Sequence, residues 1–188
     1  RDFELQELEK SKEKKKKQLI KDITNQNIKN PEDYILLESK THGNYSYPDL
    51  LVSMKRSHFD KTWYETHEEL KKENSYMLTI RQFVDFLNLL KSNKVYDGTG
   101  NKISKPKLNK LLDGILKKRD PWRSEWLDAK FSNNNCNRLQ ITYHKINSNG
   151  SLDEITEPLK KCLMKGCYID LNSCNNQGLP TKESREED

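Results

Sequence analysis

The sequence predicts a mainly α-helical protein with a small β-containing element near its C-terminus. Three observations lead to this prediction: apolar residues recur at helical spacing in several segments, helix-capping residues precede those segments, and apolar and polar residues alternate at residues 139–143. Hydrophobic residues make up only 32% of the 188-residue chain, and charged residues make up 34%. Because a typical soluble domain is about 45–50% apolar, we expect part of the chain to be solvated or to form an extended helix.

Residues 1–30 are predicted to form a long charged helix. Lysines occupy the middle of its apolar seam, so a partly solvated helix is the first interpretation. One alternative is a coiled-coil arm that joins copies of the chain into a homo-oligomer, and another is a lysine-rich arm for nucleic acid. The coiled-coil alternative rests on four apolar residues near heptad spacing: Leu5, Leu8, Leu19 and Ile23.

Residues 31–131 are predicted to form a helical domain of about four helices, with a β-ribbon insert at residues 94–103. The first helix is expected at residues 47–59. Four residues are suited to cap the helices, because their side-chain oxygens accept hydrogen bonds from free backbone N–H groups: Ser46, Thr62, Thr79 and Ser104. The third helix has the clearest apolar stripe, formed by Ile80, Phe83, Val84, Leu87 and Leu90. Phe86 lies at the edge of this stripe, so we expect truncation of Phe83 to destabilise the chain more.

Residues 132–180 are predicted to form a small α+β element, followed by a frayed tail at 181–188. The alternation at 139–143 is typical of a half-buried strand, and residues 147–150 supply the turn of a hairpin. A polar linker is expected at 131–137, a short helix at 157–164 and a last strand at 167–171.

The basic residues and tryptophans of the middle segment suggest a binding surface. The net charge is +5, from 34 Lys and Arg against 29 Asp and Glu, and residues 91–123 hold ten Lys and Arg against three Asp. Aromatic side chains interleaved with cations suit base stacking or binding of a partner peptide. Alternatively, the tryptophans close the helical core and the arginines pair with acidic neighbours. The predicted partner or nucleic-acid surface consists of Lys117, Lys118, Arg119, Trp122, Arg123 and Trp126.

No residue pattern predicts a catalytic, cofactor-binding or metal site. The four histidines lack metal-ligand spacing, and His67, one helical turn after Trp63, is interpreted as a packed aromatic residue. The four cysteines contain no closely spaced pair of zinc ligands, so zinc ligation, a disulfide and unlinked thiols are alternatives. We therefore expect the protein to be neither an enzyme nor a cofactor carrier.

A resemblance to a known group of proteins rests on three segments: YMLTIRQFVDFLNLL at residues 76–90, RDPWRSEWLDAKF at 119–131, and CYIDLNS at 167–173 with QGLP at 177–180. Over residues 34–180 the chain resembles a group of uncharacterised prokaryotic proteins of archaeal type. Longer members of this group continue into a C-type-lectin-like domain of the kind diversified for ligand binding. This chain ends eight residues after Pro180, so the resemblance implies that the lectin-like domain is absent. It implies a binding or scaffold role and no catalytic residue.

Taken together, these features predict a non-enzymatic binding or scaffold module for an unidentified protein partner. The alternative is a basic nucleic-acid-associated protein. No apolar run approaches the roughly 20 residues of a membrane-spanning helix, and the charged first residues lack the apolar core of a signal peptide. We therefore expect a cytoplasmic protein without a membrane partner.

Overall fold

The computed structural model describes Lys10 and residues 28–118, 125–133, 139–147, 151–159, 168–169, 174–180 and 185–186. Within these residues the chain has three α-helices, one short 3-10 helix and nine β-strands. The protein is therefore α+β, and its classification as a mainly α-helical, coiled-coil protein is wrong. The long helix and coiled-coil arm expected at residues 1–30 lie almost wholly outside the described residues.

The chain divides into two compact units, each assembled from three segments. Unit 1 comprises Arg1–Lys40, Tyr47–Ser57 and Phe86–Arg119. Unit 2 comprises Thr41–Ser46, His58–Asp85 and Asp120–Asp188. The domain boundaries expected near residues 30, 131 and 180 stay predictions.

Unit 1 is built on a buried antiparallel strand pair. The 3-10 helix Pro31–Asp33 leads into β1 (Tyr34–Leu37), which pairs with β4 (Leu50–Ser53) so that Ile35 lies opposite Val52. The ribbon predicted at residues 94–103 is confirmed, because Tyr96 bridges Lys102. A helix at Lys105–Leu116, α3, follows the ribbon. The buried apolar residues of unit 1 are Ile35, Leu36, Leu37, Tyr47, Leu50, Phe86, Leu90, Val95, Ile103 and Leu108.

The helix expected at residues 47–59 is not formed, and that prediction is wrong. Its first part lies in two short strands, β3 (Tyr45–Tyr47) and β4, and β3 pairs with β2 (Lys40–His42). β1 is a continuous apolar run that needs a hydrogen-bonded neighbour, and Leu50–Ser53 supplies that neighbour. Tertiary pairing therefore overrides the local helical spacing.

Unit 2 combines a helix with a three-stranded antiparallel sheet. The helix is α1 (Trp63–Lys72), and the sheet has the order β5-β6-β7. The strands are β5 (Lys130–Asn133), β6 (Leu139–Ile146) and β7 (Leu152–Pro158). A second small sheet pairs β8 (Tyr168–Ile169) with β9 (Arg185–Glu186). One hydrophobic cluster of the unit consists of Ile141, Tyr143, Leu159 and Leu179, packed against Ile80, Ala129, Leu139 and Ile155.

The C-terminal predictions are confirmed in part. The strand predicted at residues 139–143 is β6, and the predicted hairpin joins β6 to β7. The polar linker expected at 131–137 is wrong in its first residues, which belong to β5. The helix expected at 157–164 begins within β7, and residues 160–164 lie outside the described part of the chain.

The helix α2 (Ile80–Lys91), which contributes residues to both units, buries only part of the predicted stripe: Leu90 is buried, and Ile80 packs on the core of unit 2. Gln82 and Asp85 are buried, whereas Val84 is 41% exposed. Gln82 is buried because it forms a reciprocal cap with Thr79: Thr79 N–H donates to Gln82 Oε1 at 2.9 Å, and Gln82 N–H donates to Thr79 Oγ1 at 3.3 Å. Asp85 is buried because its carboxylate pairs with His42 at 2.7 Å. Two polar residues whose side chains have bonding partners are therefore buried at positions outside the predicted apolar stripe.

Among the described residues, no helix combines the length and apolar character needed to cross a lipid bilayer.

Candidate metal site

The site begins with the first turn of α1. Thr62, predicted as a helix cap, forms a capping box with Glu65: Glu65 N–H donates to Thr62 Oγ1, and the Glu65 carboxylate accepts from Thr62 N–H. Trp63 is buried, and its indole N–H donates to Leu127 O at 2.9 Å. His67 follows Trp63 by four residues and therefore shares its helix face. The capped, anchored turn thus directs His67 into unit 2.

Asp128 lies just before β5 and is held by both its backbone and its side chain. Its N–H donates to Leu78 O at 3.0 Å, which fixes the loop that carries it. The side chain is only 6% exposed. Oδ2 accepts from the backbone N–H of His144 at 2.9 Å, and Oδ1 lies 2.7 Å from His144 Nδ1. These contacts fix the orientation of the Asp128 carboxylate.

His144 lies on β6 and presents its two ring nitrogens to two carboxylates. Nδ1 contacts Asp128, and Nε2 lies 4.0 Å from Glu154 Oε2 on β7. The strand register places His144 directly opposite Glu154. The Trp63 ring stacks on His144 with 5.5 Å between centroids. Strand pairing and ring stacking together fix the position of this imidazole.

His67 completes the cluster, and its imidazole is not satisfied by protein groups. Its Nε2 lies 3.4 Å from Asp128 Oδ1, without hydrogen-bond geometry. Both ring nitrogens are buried, and neither has a hydrogen-bond partner among the described residues. A buried polar group without a partner costs about 1–3 kcal/mol. The edge-to-face contact with Trp63, at 4.2 Å, confirms the predicted ring packing but leaves the two nitrogens unsatisfied.

The pKa of the Asp128 carboxyl reflects this surrounding. Burial by itself raises the pKa, but the imidazoles of His144 and His67 and the His144 backbone N–H outweigh burial and hold it below the ordinary value of 3.8. Asp128 is therefore a carboxylate at neutral pH, available as an anionic oxygen donor.

We expect the stabilisation by ionised Asp128 to disappear in acid. The lowered folded-state pKa means that this contribution is complete above pH 3.8 and is lost as the pH falls through the folded-state value. Urea unfolding of the parent chain and the Asp128→Asn variant across the acid range tests this. The stability difference between them should shrink below about pH 4. A difference that stays constant down to about pH 2 would contradict the expectation.

The cluster has the donor set of a transition-metal site. His67, Asp128 and His144 can each offer one ligand atom, and these atoms lie within 4.8 Å of one another. Zn–N and Zn–O bonds of about 2.0–2.2 Å place neighbouring donors of a tetrahedral ion about 3.3–3.5 Å apart. The pair His67 Nε2 and Asp128 Oδ1, at 3.4 Å, already has this spacing. The 2.7 Å contact of His144 would lengthen by less than about 1 Å when an ion replaces its proton.

The predicted partner surface is described only in part. Arg119, Trp122 and Arg123 lie outside the described residues. Trp126 belongs to unit 2, is 51% exposed and donates its indole N–H to Lys61 O at 3.0 Å. Lys117 and Lys118 are exposed and belong to unit 1. The role of this surface stays a prediction.

Sequence reasoning missed the cluster because its three residues are far apart along the chain. His67, Asp128 and His144 come from a helix, a loop and a strand, so no local spacing connects them. Two weak signals exist: His67 shares a helix face with Trp63, and His144 directly follows a strand pattern. Neither signal indicates that Asp128 is the third member of the cluster.

Fold and cluster define the class of this protein as an α+β protein with a candidate His–Asp–His metal site. No family model, no curated protein and no solved structure matches the chain. The resemblance to uncharacterised prokaryotic proteins therefore stays a prediction.

Proposed function

We propose that the chain is a metal-binding module that takes one divalent ion of the zinc type at His67, Asp128 and His144. The observation that carries the proposal is the buried His67 imidazole, which faces Asp128 with no hydrogen-bond partner for either ring nitrogen. Within the described part of the chain, Nε2 has only the 3.4 Å contact with Asp128 Oδ1, and a bound ion gives it a coordinating partner. Ring packing against Trp63 explains why the imidazole is buried, but it does not give the two ring nitrogens hydrogen-bond partners.

The donor types favour a borderline transition metal. Mg²⁺ and Ca²⁺ prefer shells made of oxygen donors. Two imidazoles and one carboxylate suit Zn²⁺, and chemically similar ions such as Co²⁺. The ionised Asp128 carboxylate, favoured by the lowered pKa, offsets part of the ion's charge.

The position of the donors favours a structural role for the ion. They lie on α1, on the loop before β5 and on β6, so one ion connects three separate parts of unit 2. Asp128 is buried, and His67 and His144 are about nine-tenths buried. This burial limits access of a substrate to the site. The proposal therefore keeps the expectation of a non-enzymatic binding module and gives it a ligand of defined chemistry.

The test is a titration of the whole chain with Zn²⁺ and Co²⁺ after removal of metal with a chelator. The four cysteine thiols are alkylated first, so that they do not compete for the ion. We expect one ion per chain and, with Co²⁺, the visible absorption bands of a low-symmetry site. His67→Phe keeps an aromatic ring and removes both nitrogens. It should weaken binding by more than the roughly 10–100-fold typical of losing an outer-shell partner.

His58→Asn is the matched control, because His58 pairs with Glu69 and Glu73 rather than with Asp128. Asparagine tolerates the positive φ of 57° at this position. This variant should bind Co²⁺ like the parent chain. A parent chain that binds no ion, or a His67→Phe variant that binds as tightly as the parent, would overturn the proposed function.

A further inference from the structure

The two nitrogens of His144 have different surroundings, which matters once an ion is bound. Nδ1 points to Asp128 Oδ1 at 2.7 Å and Nε2 points to Glu154 Oε2 at 4.0 Å. Only Nδ1 therefore lies on the side of the other two donors. The Glu154 carboxylate lies outside the three-donor cluster, on the neighbouring strand β7.

Metal binding at Nδ1 fixes the tautomer of His144. A neutral imidazole carries one proton, and a nitrogen that binds a metal cannot keep it, so the proton must be on Nε2. The side chain of His144 is only 11% exposed, so this N–H needs an acceptor within the protein. Histidine ligands usually donate this second N–H to a carboxylate or a carbonyl, which orients the ring and raises the basicity of the coordinating nitrogen.

Glu154 has the chemistry and the freedom to be that acceptor. The β6–β7 register fixes its backbone directly opposite His144. Its side chain is 50% exposed, so it can rotate to close the 4.0 Å gap to hydrogen-bond distance.

We infer that Glu154 is a positioning residue of the metal site, acting through His144 Nε2–H. The inference rests on the proposed function, because the proton is forced onto Nε2 only when an ion occupies Nδ1. Glu154 does not touch the ion. It accepts the Nε2–H that metal binding leaves on His144 and strengthens the Nδ1 donor.

The experiment compares Glu154→Gln with Asp153→Asn in the whole chain. Both changes remove one negative charge from β7, but adjacent strand residues point to opposite sheet faces, and the partner of Asp153 is Lys145. Co²⁺ affinity is measured with thiols alkylated, and imidazole ¹⁵N NMR of the Zn²⁺-loaded chain reports the hydrogen bond of His144 Nε2–H. The amide oxygen of glutamine is a weaker acceptor than a carboxylate, so we expect Glu154→Gln to weaken Co²⁺ binding by about 10-fold or more and to shift the Nε2 resonance, and Asp153→Asn to change neither.

Each result distinguishes this inference from the proposal on which it rests. If the parent chain binds Co²⁺ and Glu154→Gln binds it equally well, the positioning role is wrong and the metal site stands. An equal loss of affinity in both variants would also overturn the positioning role, because it would mean a general effect of charge. If the parent chain binds no ion, the proposed function fails and this inference fails with it.

Discussion

Replacing Asp128 by alanine is expected to lower the free energy of unfolding of the metal-free chain by about 3–5 kcal/mol, the cost of removing one partner from a buried ionic contact. The carboxylate accepts from the backbone N–H and the side chain of His144, and it faces His67. Its removal leaves the backbone N–H of His144 without this acceptor and places a third unsatisfied ring nitrogen beside the two of His67. Urea unfolding in the presence of a chelator, followed by circular dichroism, measures the change.

The control for this variant is Asp153→Ala. Asp153 is an exposed carboxylate on β7, so its removal should change the stability by no more than about 0.5 kcal/mol. Asp128→Asn should fall between the two, because the amide oxygen can still accept one hydrogen bond. If Asp128→Ala unfolds at the same urea concentration as Asp153→Ala, the carboxylate is not the centre of the cluster.

The second large effect is expected at Phe86. This side chain is 6% exposed and belongs to the core of unit 1. Its truncation to alanine should cost about 3–5 kcal/mol, from the lost burial of the ring and the cavity that it leaves. Phe83 is only partly buried, so Phe83→Ala should cost less. Urea unfolding of both variants at the same pH measures the two losses.

Val84→Ala serves as the control on the same helix, because Val84 is 41% exposed. The free energy of unfolding of Val84→Ala should remain close to that of the parent chain. A larger loss for Phe83→Ala than for Phe86→Ala would contradict the observed packing of α2 and restore the order expected from the apolar stripe.

Local signals predicted the elements whose stability is decided locally. Thr62 and Thr79 were recognisable as caps because a cap and its partner lie within one turn of helix. The alternation at residues 139–143 predicted β6, since one face of the strand packs on the core.

The missed features depend on partners that are distant in the sequence. Leu50–Ser53 has apolar residues that suit either a helix or a strand, and its pairing with β1 decides between them. Asp85 appears in sequence as a polar helix residue, and only the contact with His42 makes its burial favourable. The cluster of His67, Asp128 and His144 is the extreme case, because its three residues share no local pattern.

The segmental composition of the two units limits how the protein can be divided. The chain passes between unit 1 and unit 2 five times, and one passage falls inside α2, between Asp85 and Phe86. No single cut therefore releases a fragment that contains all of one unit and none of the other. A cut anywhere between residues 41 and 119 leaves part of both units on each fragment. Fragments suited to expression are therefore those that retain every described segment, and an inserted domain is better placed in an exposed turn such as residues 73–75, directly after α1.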